Sequence, residues 1–403
     1  MNAHARESLA KLWPLDPSII FLNHGSFGAC PAEVLRHQAA LRDELEAEPV
    51  RFLSRELDGR LETARAALGA FLGADPEDLA FVPNATSGVN AVLRSLAFSP
   101  GDELLTTDHA YNACRNALEF VATRWGVTVV VAKVPFPVAS PDDVVAAVMA
   151  RVTARTRLAL IDHVTSPTAL VLPVARLISE LSARNVEVVV DGAHAPGMVP
   201  LDLRSLGATY YSGNCHKWLC APKGSAFLWV RRDLHPEVRP LTISHGASVS
   251  YPGRSRFRLE FDWTGTQDPT AWLTVPRAIV YVGSLVPGGW PAVMAQNHAL
   301  AIDARRLLCT AAGTAPACPD EMIGSLASIL LPDGRPDGIG WRRPDPIQPR
   351  LFEKWGIEVP VMSWPAPPHR LVRISAQLYN RPEHYARLAE ALSKELADER
   401  MSR

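Results

Sequence analysis

Two short segments, VEVVVDGAHAPG and YYSGNCHKW, lie one brief connection apart and carry the residues best suited to chemistry, Asp191 and Lys217. Asp191 directly follows an apolar run, which sets its carboxylate at the C-terminal edge of a sheet, where open α/β folds bind ligands. Taken alone, an acid there could equally cap the following turn. Lys217 stands between His216 and Trp218, among small and aromatic residues rather than in a charged surface stretch. A lysine stripped of water becomes a nucleophile, although most lysines keep the ammonium solvated and bury only the stem. A third segment, FVPNATSGVNAVL, runs from an apolar stretch through Asn84, Ala85, Thr86, Ser87 and Gly88 into a helical period. Free amides at a helix start, two hydroxyls and a permissive glycine outline an anion site. An ordinary Thr/Ser N-cap would read the same way.

These residues need a scaffold, and the letters between Leu79 and Val230 supply one. Short β-branched runs alternate with helix-period segments: LAFV, ELLTT, VTVVVAKV, RLALIDHV, VEVVVD, ATYYSG and GSAFLWV. Continuous apolar character means strands buried on both faces, the mark of a mainly parallel α/β sheet. Ser140-Pro141-Asp142-Asp143 predicts an N-cap, a proline at N1 and an acid at N3, opening a crossover helix. Pro173 opens another, with Val174, Leu177, Ile178 and Leu181 on one face. After Pro269 the composition changes to long helical stretches, then SLASILLP, VPVMSW and HRLVRIS as strands and a closing helix from about Pro382 to Arg400. The stretch PDGRPDGIGWRRPDPIQP predicts a surface loop. At 403 residues the chain has material for two domains: a large one over 21–270 and a smaller α+β one over 271–403, joined by the N-terminal segment 1–20.

Composition excludes several partners. With 41 basic against 42 acidic residues, the net charge of −1 offers no pull toward nucleic acid or an anionic membrane. The start has no signal-peptide pattern and no run of about 18 apolar residues occurs, so a cytoplasmic protein acting on a small molecule is expected. The six cysteines show no C-x-x-C or scaffold spacing and read as reduced packing residues. No GxGxxG follows the first strand and no GxxxxGK[ST] appears, which disfavours a nucleotide site. His109, His163, Asp191, His194 and His216 could gather at strand ends around a metal, a metal-dependent hydrolase reading that lacks any HExxH or paired-cysteine signature.

Taken in order, NATSG, TTDHAYNA, DHVTSPT, DGAHAPG, SGNCHKW, WTGTQD and VRISAQLYN resemble the fold-type I pyridoxal-phosphate (PLP) enzymes of the class V aminotransferase family, nearest its isopenicillin N epimerase-like branch. The likeness spans Leu22 to Asn380. It implies a homodimer with active sites at the subunit interface, a PLP cofactor and an amino-acid substrate. It implies that Lys217 forms the Schiff base, that Asp191 pairs with the ring nitrogen so the ring can accept electrons, and that His194 donates to the ring 3-oxygen. Thr86, Ser87 and His216 match phosphate ligands, and Thr266 matches a threonine that reaches the neighbouring subunit's phosphate. His109 or Tyr111 would stack on the ring, with Tyr111 also in reach as an acid. Arg373 would hold the substrate carboxylate, a task suited to a planar guanidinium. Asn23 and His24 would line the substrate side, and Ser166 or Thr168 would lie near the ring oxygen.

The implied chemistry starts at Cα, through Schiff base and quinonoid, and leads to epimerisation with Tyr111 as second acid. A C–S lyase or an aminotransferase on a sulfur-containing or simple amino acid is the alternative. One departure narrows the field. Desulfurases of the superfamily carry a nucleophilic cysteine shortly before the carboxylate arginine, and here that stretch, GIEVPVMSWPAPPH, has none.

Overall fold

The computed structural model describes residues 8–334 and 344–401. Its centre is a seven-stranded sheet in the order β2-β8-β7-β6-β5-β3-β4. The strands are β2 (Leu79–Val82), β3 (Glu103–Thr107), β4 (Thr128–Ala132), β5 (Thr156–Asp162), β6 (Glu187–Asp191), β7 (Tyr210–Asn214) and β8 (Ala226–Val230). Successive residues of one strand enter different cores. In β5, Ala159 and Ile161 join one apolar cluster while Leu158 and Leu160 join another, and in β6 Val188 and Val190 part from Val189 in the same way. This two-sided burial is why the runs read as continuously apolar, each buried Val or Leu contributing about 1.5–3 kcal/mol.

One strand departs from the expected parallel pattern. β8 runs antiparallel to both neighbours, β2 and β7. A parallel return needs a crossover of a dozen residues or more, and the segment between Asn214 and Ala226 is too short and carries no helix, so the chain folds back on itself. That tight return holds His216 and Lys217, pinned at its base by Cys215 N–H donating to Ser225 O at 3.0 Å. The predicted crossover helix is Pro141–Met149, with the full capping box between Ser140 and Asp143.

Beyond the sheet, β9 (Leu326–Leu331), β11 (Val361–Ser363) and β12 (Arg370–Ser375) form an antiparallel sheet in the order β11-β12-β9. It packs against the helices Gly289–Ala312 and Pro382–Met401. A two-residue strand near the N-terminus, β1 (Ile20–Phe21), pairs in parallel with β10 (Ile357–Glu358). The proline-rich stretch from Pro332 to Pro349 is only partly the surface loop its composition suggests, and 335–343 lie outside the described residues. Its end is structured: Asp345 is fully buried against Arg370, and Ile347 begins a helix reaching Trp355. A carboxylate in a proline-rich run reads as surface, and only the guanidinium from β12 makes its burial tolerable.

Candidate active site

A cavity of about 520 Å³ opens at the C-terminal ends of the parallel strands. Lys217, Asp191, His194, His216, Thr86, Ser87, Tyr111 and Ser166 all line it. They lie at or just after the ends of five strands, β2, β3, β5, β6 and β7, so segments far apart in the sequence meet at one sheet edge.

Lys217 is held from behind. His24, fully buried, accepts the Ala29 N–H at Nδ1 (3.2 Å), with the Tyr379 hydroxyl on the same nitrogen at 2.8 Å. Its proton is therefore on Nε2, which donates to the Lys217 carbonyl at 3.0 Å. Burial pushes the His24 imidazole down to about 3, keeping it neutral in this role. Gly28 makes the approach possible: its φ of +73° and the His216 carbonyl, 2.0 Å from where a Cβ would sit, admit no side chain. The Lys217 amine lies 3.1 Å from His194 Nε2, whose Nδ1 accepts the Trp218 indole N–H at 3.4 Å. Because an indole only donates, His194 carries its proton on Nε2 and the lysine nitrogen must accept, which requires its free-base form. Burial first, then the Arg373 guanidinium, lowers Lys217 to about 8, with Asp191 opposing. The amine is thus a usable nucleophile and base near neutrality.

Asp191 is buried at the end of β6 and accepts from Ala193 N–H (3.0 Å) and the Cys114 thiol (3.0 Å). At the other end of the cavity the helix Ala85–Ser95 starts over β7. Asn84 caps it by accepting Ser87 N–H and hydroxyl, and Asn214 accepts the Ala85 amide at 2.8 Å. Gly88 lets the helix come this close, since a Cβ there would meet Ser212 Oγ at 2.1 Å. His216 Nδ1 donates to the Ser225 carbonyl at 2.9 Å, since a carbonyl can only accept, so Nδ1 bears a proton. A free-base amine, a buried acid and a hydroxyl-lined helix start at one cavity fit an aromatic aldehyde phosphate in volume and in donor chemistry.

Arg373 on β12 is buried beside the cavity, its Nη1 donating to Ser166 O (2.6 Å) and its Nη2 to Ser26 Oγ (3.0 Å), both on cavity-lining residues. Its Nε has no partner among the described residues. Tyr111, 43 % exposed, stands at the start of the helix Asn112–Trp125, and burial of its ring together with nearby Cys114 and Asp191 raises its hydroxyl, so it stays protonated.

Several expected residues do not reach the cavity. His109 is fully buried with both ring nitrogens engaged, by Thr168 Oγ1 at 2.7 Å and the Val134 carbonyl at 3.1 Å, leaving Tyr111 as the aromatic of that segment at the wall. Thr168 is turned toward His109 and Thr165, so of the pair Ser166 and Thr168 it is Ser166 that lines the space. Asn23 bonds Glu358 and Ser26, and His24 faces the protein interior; their loop meets the cavity through Ser26 and Phe27. Thr266 is exposed on the loop after helix Arg256–Asp262, away from this cavity. Of the five strand-end residues considered for a metal, Asp191, His194 and His216 line the cavity while His109 and His163 are bonded elsewhere, and no group of His, Cys, Asp or Glu that could hold a metal occurs among the described residues. All six cysteines are free and buried. Asp162, Asn214 and Phe27 line the cavity without having been singled out, while Ser26 belongs to the loop expected on the substrate side. Asp162 ends the apolar run RLALID as Asp191 ends VEVVVD, the same signal of an acid at a strand end.

The model of the aminotransferase class-V family matches residues 29–323. The chain is 39% identical over 409 residues to isopenicillin N epimerase of Amycolatopsis lactamdurans, covering 98% of each. It is 33% identical over 401 residues to a probable chloroplastic L-cysteine desulfhydrase of Arabidopsis thaliana, covering 94% of this chain and 83% of that one. In fold it is similar to the cystine C–S lyase C-DES, solved in complex with its reaction product cysteine persulfide, with a TM-score of 0.77 at 22% identity over 94% of this chain and 98% of that one.

Proposed function

Because the chain belongs to the class V aminotransferase family and is a pyridoxal-phosphate-dependent enzyme, we propose that it takes the α-proton from an amino acid and returns one to the opposite face, an epimerisation. The observation that carries this reading is the presence of two proton-handling groups in one cavity: the Lys217 amine, whose free base burial brings within reach near neutrality by lowering it to about 8, and the Tyr111 phenol, which stays protonated. Bound PLP supplies an electron sink that acidifies the substrate Cα–H. Lys217 Nζ accepts that proton and Tyr111 Oη delivers the replacement. Arg373, anchored to the cavity-lining Ser26 and Ser166 and with an Nε that has no partner among the described residues, orients the substrate by its carboxylate. Thr86, Ser87 and His216 hold the phosphate end and Asp191 the ring nitrogen.

Incubation in D₂O with single enantiomers of amino acids, read by chiral chromatography and mass spectrometry, tests the proposal: inversion with deuterium at Cα is the expected result. Tyr111→Phe is expected to lose inversion by roughly a hundredfold while keeping α-proton exchange on the starting enantiomer, since only the second proton transfer lacks its donor. Equal loss of exchange and inversion would remove Tyr111 from that role. Arg373→Lys keeps the charge and loses the fork, so KM should rise roughly ten- to a hundredfold with a smaller change in kcat; steady-state kinetics decides it.

A second reading, C–S bond cleavage, is favoured by the stretch Gly356–His369. It lacks the cysteine of a persulfide mechanism, and a lyase needs none. Release of sulfide and pyruvate from L-cysteine, without inversion, would select it. The exposed position of Thr266 suits the homodimer that the family resemblance implies, and sedimentation analysis of the holoenzyme tests for it.

A further inference from the structure

The end of β5 carries a carboxyl that none of the roles above uses. Asp162 pairs in register with Asp191 across the parallel strands β5 and β6. Neighbouring strands run about 4.8 Å apart and paired residues project from the same face, and both side chains line the cavity. Their surroundings differ. Asp191 receives the Ala193 N–H and the Cys114 S–H, one on each oxygen. Asp162 is 2% exposed, receives the Tyr111 amide, and has an Oδ1 with no partner among the described residues. The groups facing it are Asp191 from β6, Lys217 from the β7–β8 return, and Cys114 and Tyr111 from the segment after β3.

Two carboxyls side by side in a buried pocket do not both ionise, because each charge raises the cost of the other and little water screens them. The group with two donors keeps the charge. The group with an orphan oxygen keeps the proton, since a carboxylate left with an unsatisfied buried oxygen would be the costlier arrangement. Burial first and then Asp191 raise Asp162 well above the usual carboxyl range, in agreement with the geometry.

We infer that Asp162 is a positioning residue: a carboxylic acid that keeps its proton beside ionised Asp191, so that the pair presents one negative charge, not two, to the ring of the bound cofactor. The role toward the ring rests on the PLP reading above; the protonation itself does not. Through the Tyr111 amide, the same carboxyl also ties the proposed second proton donor to the sheet.

Infrared difference spectra of the apoprotein, wild type minus Asp162→Asn at pH 7, should show the C=O stretch of a protonated carboxyl that moves in D₂O. PLP affinity is the second readout, with circular dichroism and thermal melting to verify that each variant folds. Asp162→Asn, neutral and of the same shape, should bind PLP within about threefold of wild type, whereas Asp162→Leu, which strands the Tyr111 amide, should bind roughly tenfold more weakly. Absence of the carboxyl band overturns the inference whatever the cofactor does. A band accompanied by an Asn variant as weak as the Leu variant overturns the positioning role. A wild-type protein that takes up no PLP defeats the PLP reading, while the infrared band still decides the protonation.

Discussion

Lys217→Ala is expected to abolish covalent retention of PLP and to lower turnover by roughly 10⁴-fold or more, the combined loss of a nucleophile and a general base. Borohydride treatment followed by peptide mass spectrometry should find the cofactor on Lys217 in the wild type and nowhere in the variant. Reduction that still fixes the cofactor to the Ala variant would assign the linkage elsewhere. The amine's environment adds a pH dependence. Its folded value of about 8 lies below that of a free lysine because burial and Arg373 penalise the ammonium. The reactive free base therefore accumulates as pH rises through about 8, and the rate of PLP uptake by the apoprotein should climb across that window. An exposed lysine would continue climbing about two units higher. Replacing His24, which donates to the Lys217 carbonyl and not to the amine, should leave that midpoint in place while loosening the backbone under it.

Asp191→Ala is expected to weaken PLP binding on the order of 10³-fold, as removal of one partner of a buried charge pair costs about 3–5 kcal/mol. It also leaves the Ala193 amide and the Cys114 thiol without their shared acceptor. Equilibrium dialysis of the reduced-affinity variant, with Asp191→Glu alongside, measures it. Glu restores the charge but pushes it one methylene into a cavity wall set by β5 and β7, so rescue should be partial. An Ala variant that binds PLP as tightly as wild type would show that the ring nitrogen finds its partner elsewhere, with Asp162 the nearest carboxyl.

The reading of the fold from letters succeeded where burial alone decides a segment's character. A strand covered on both faces must be apolar at every position, so β5, β6 and β7 announced themselves, and an acid ending such a run marks the sheet edge. Helix caps such as Ser140 are equally local, because the cap satisfies amides three residues away. The direction of β8 is not legible in the sequence for a related reason: an apolar run looks the same either way, and how little chain lies between Asn214 and Ala226 makes it antiparallel.

Lys217, Asp191 and the Thr86-Ser87 helix start were legible in the sequence by itself, as was the kinship of the motifs that frame them, because each is a short run whose residue types are demanded by its own backbone. Which neighbours reach them was decided only in three dimensions. His24 turns inward because Tyr379, 355 residues away, and the Lys217 carbonyl each engage one of its ring nitrogens. His109 is consumed by Thr168 and Val134, which leaves Tyr111 at the wall. Asp162 and Asp191 carry the same local signal, yet one has two donors and the other an orphan oxygen. Proton positions and free valences depend on distances between segments far apart in the chain, and those distances exist only once the sheet has brought the strand ends together.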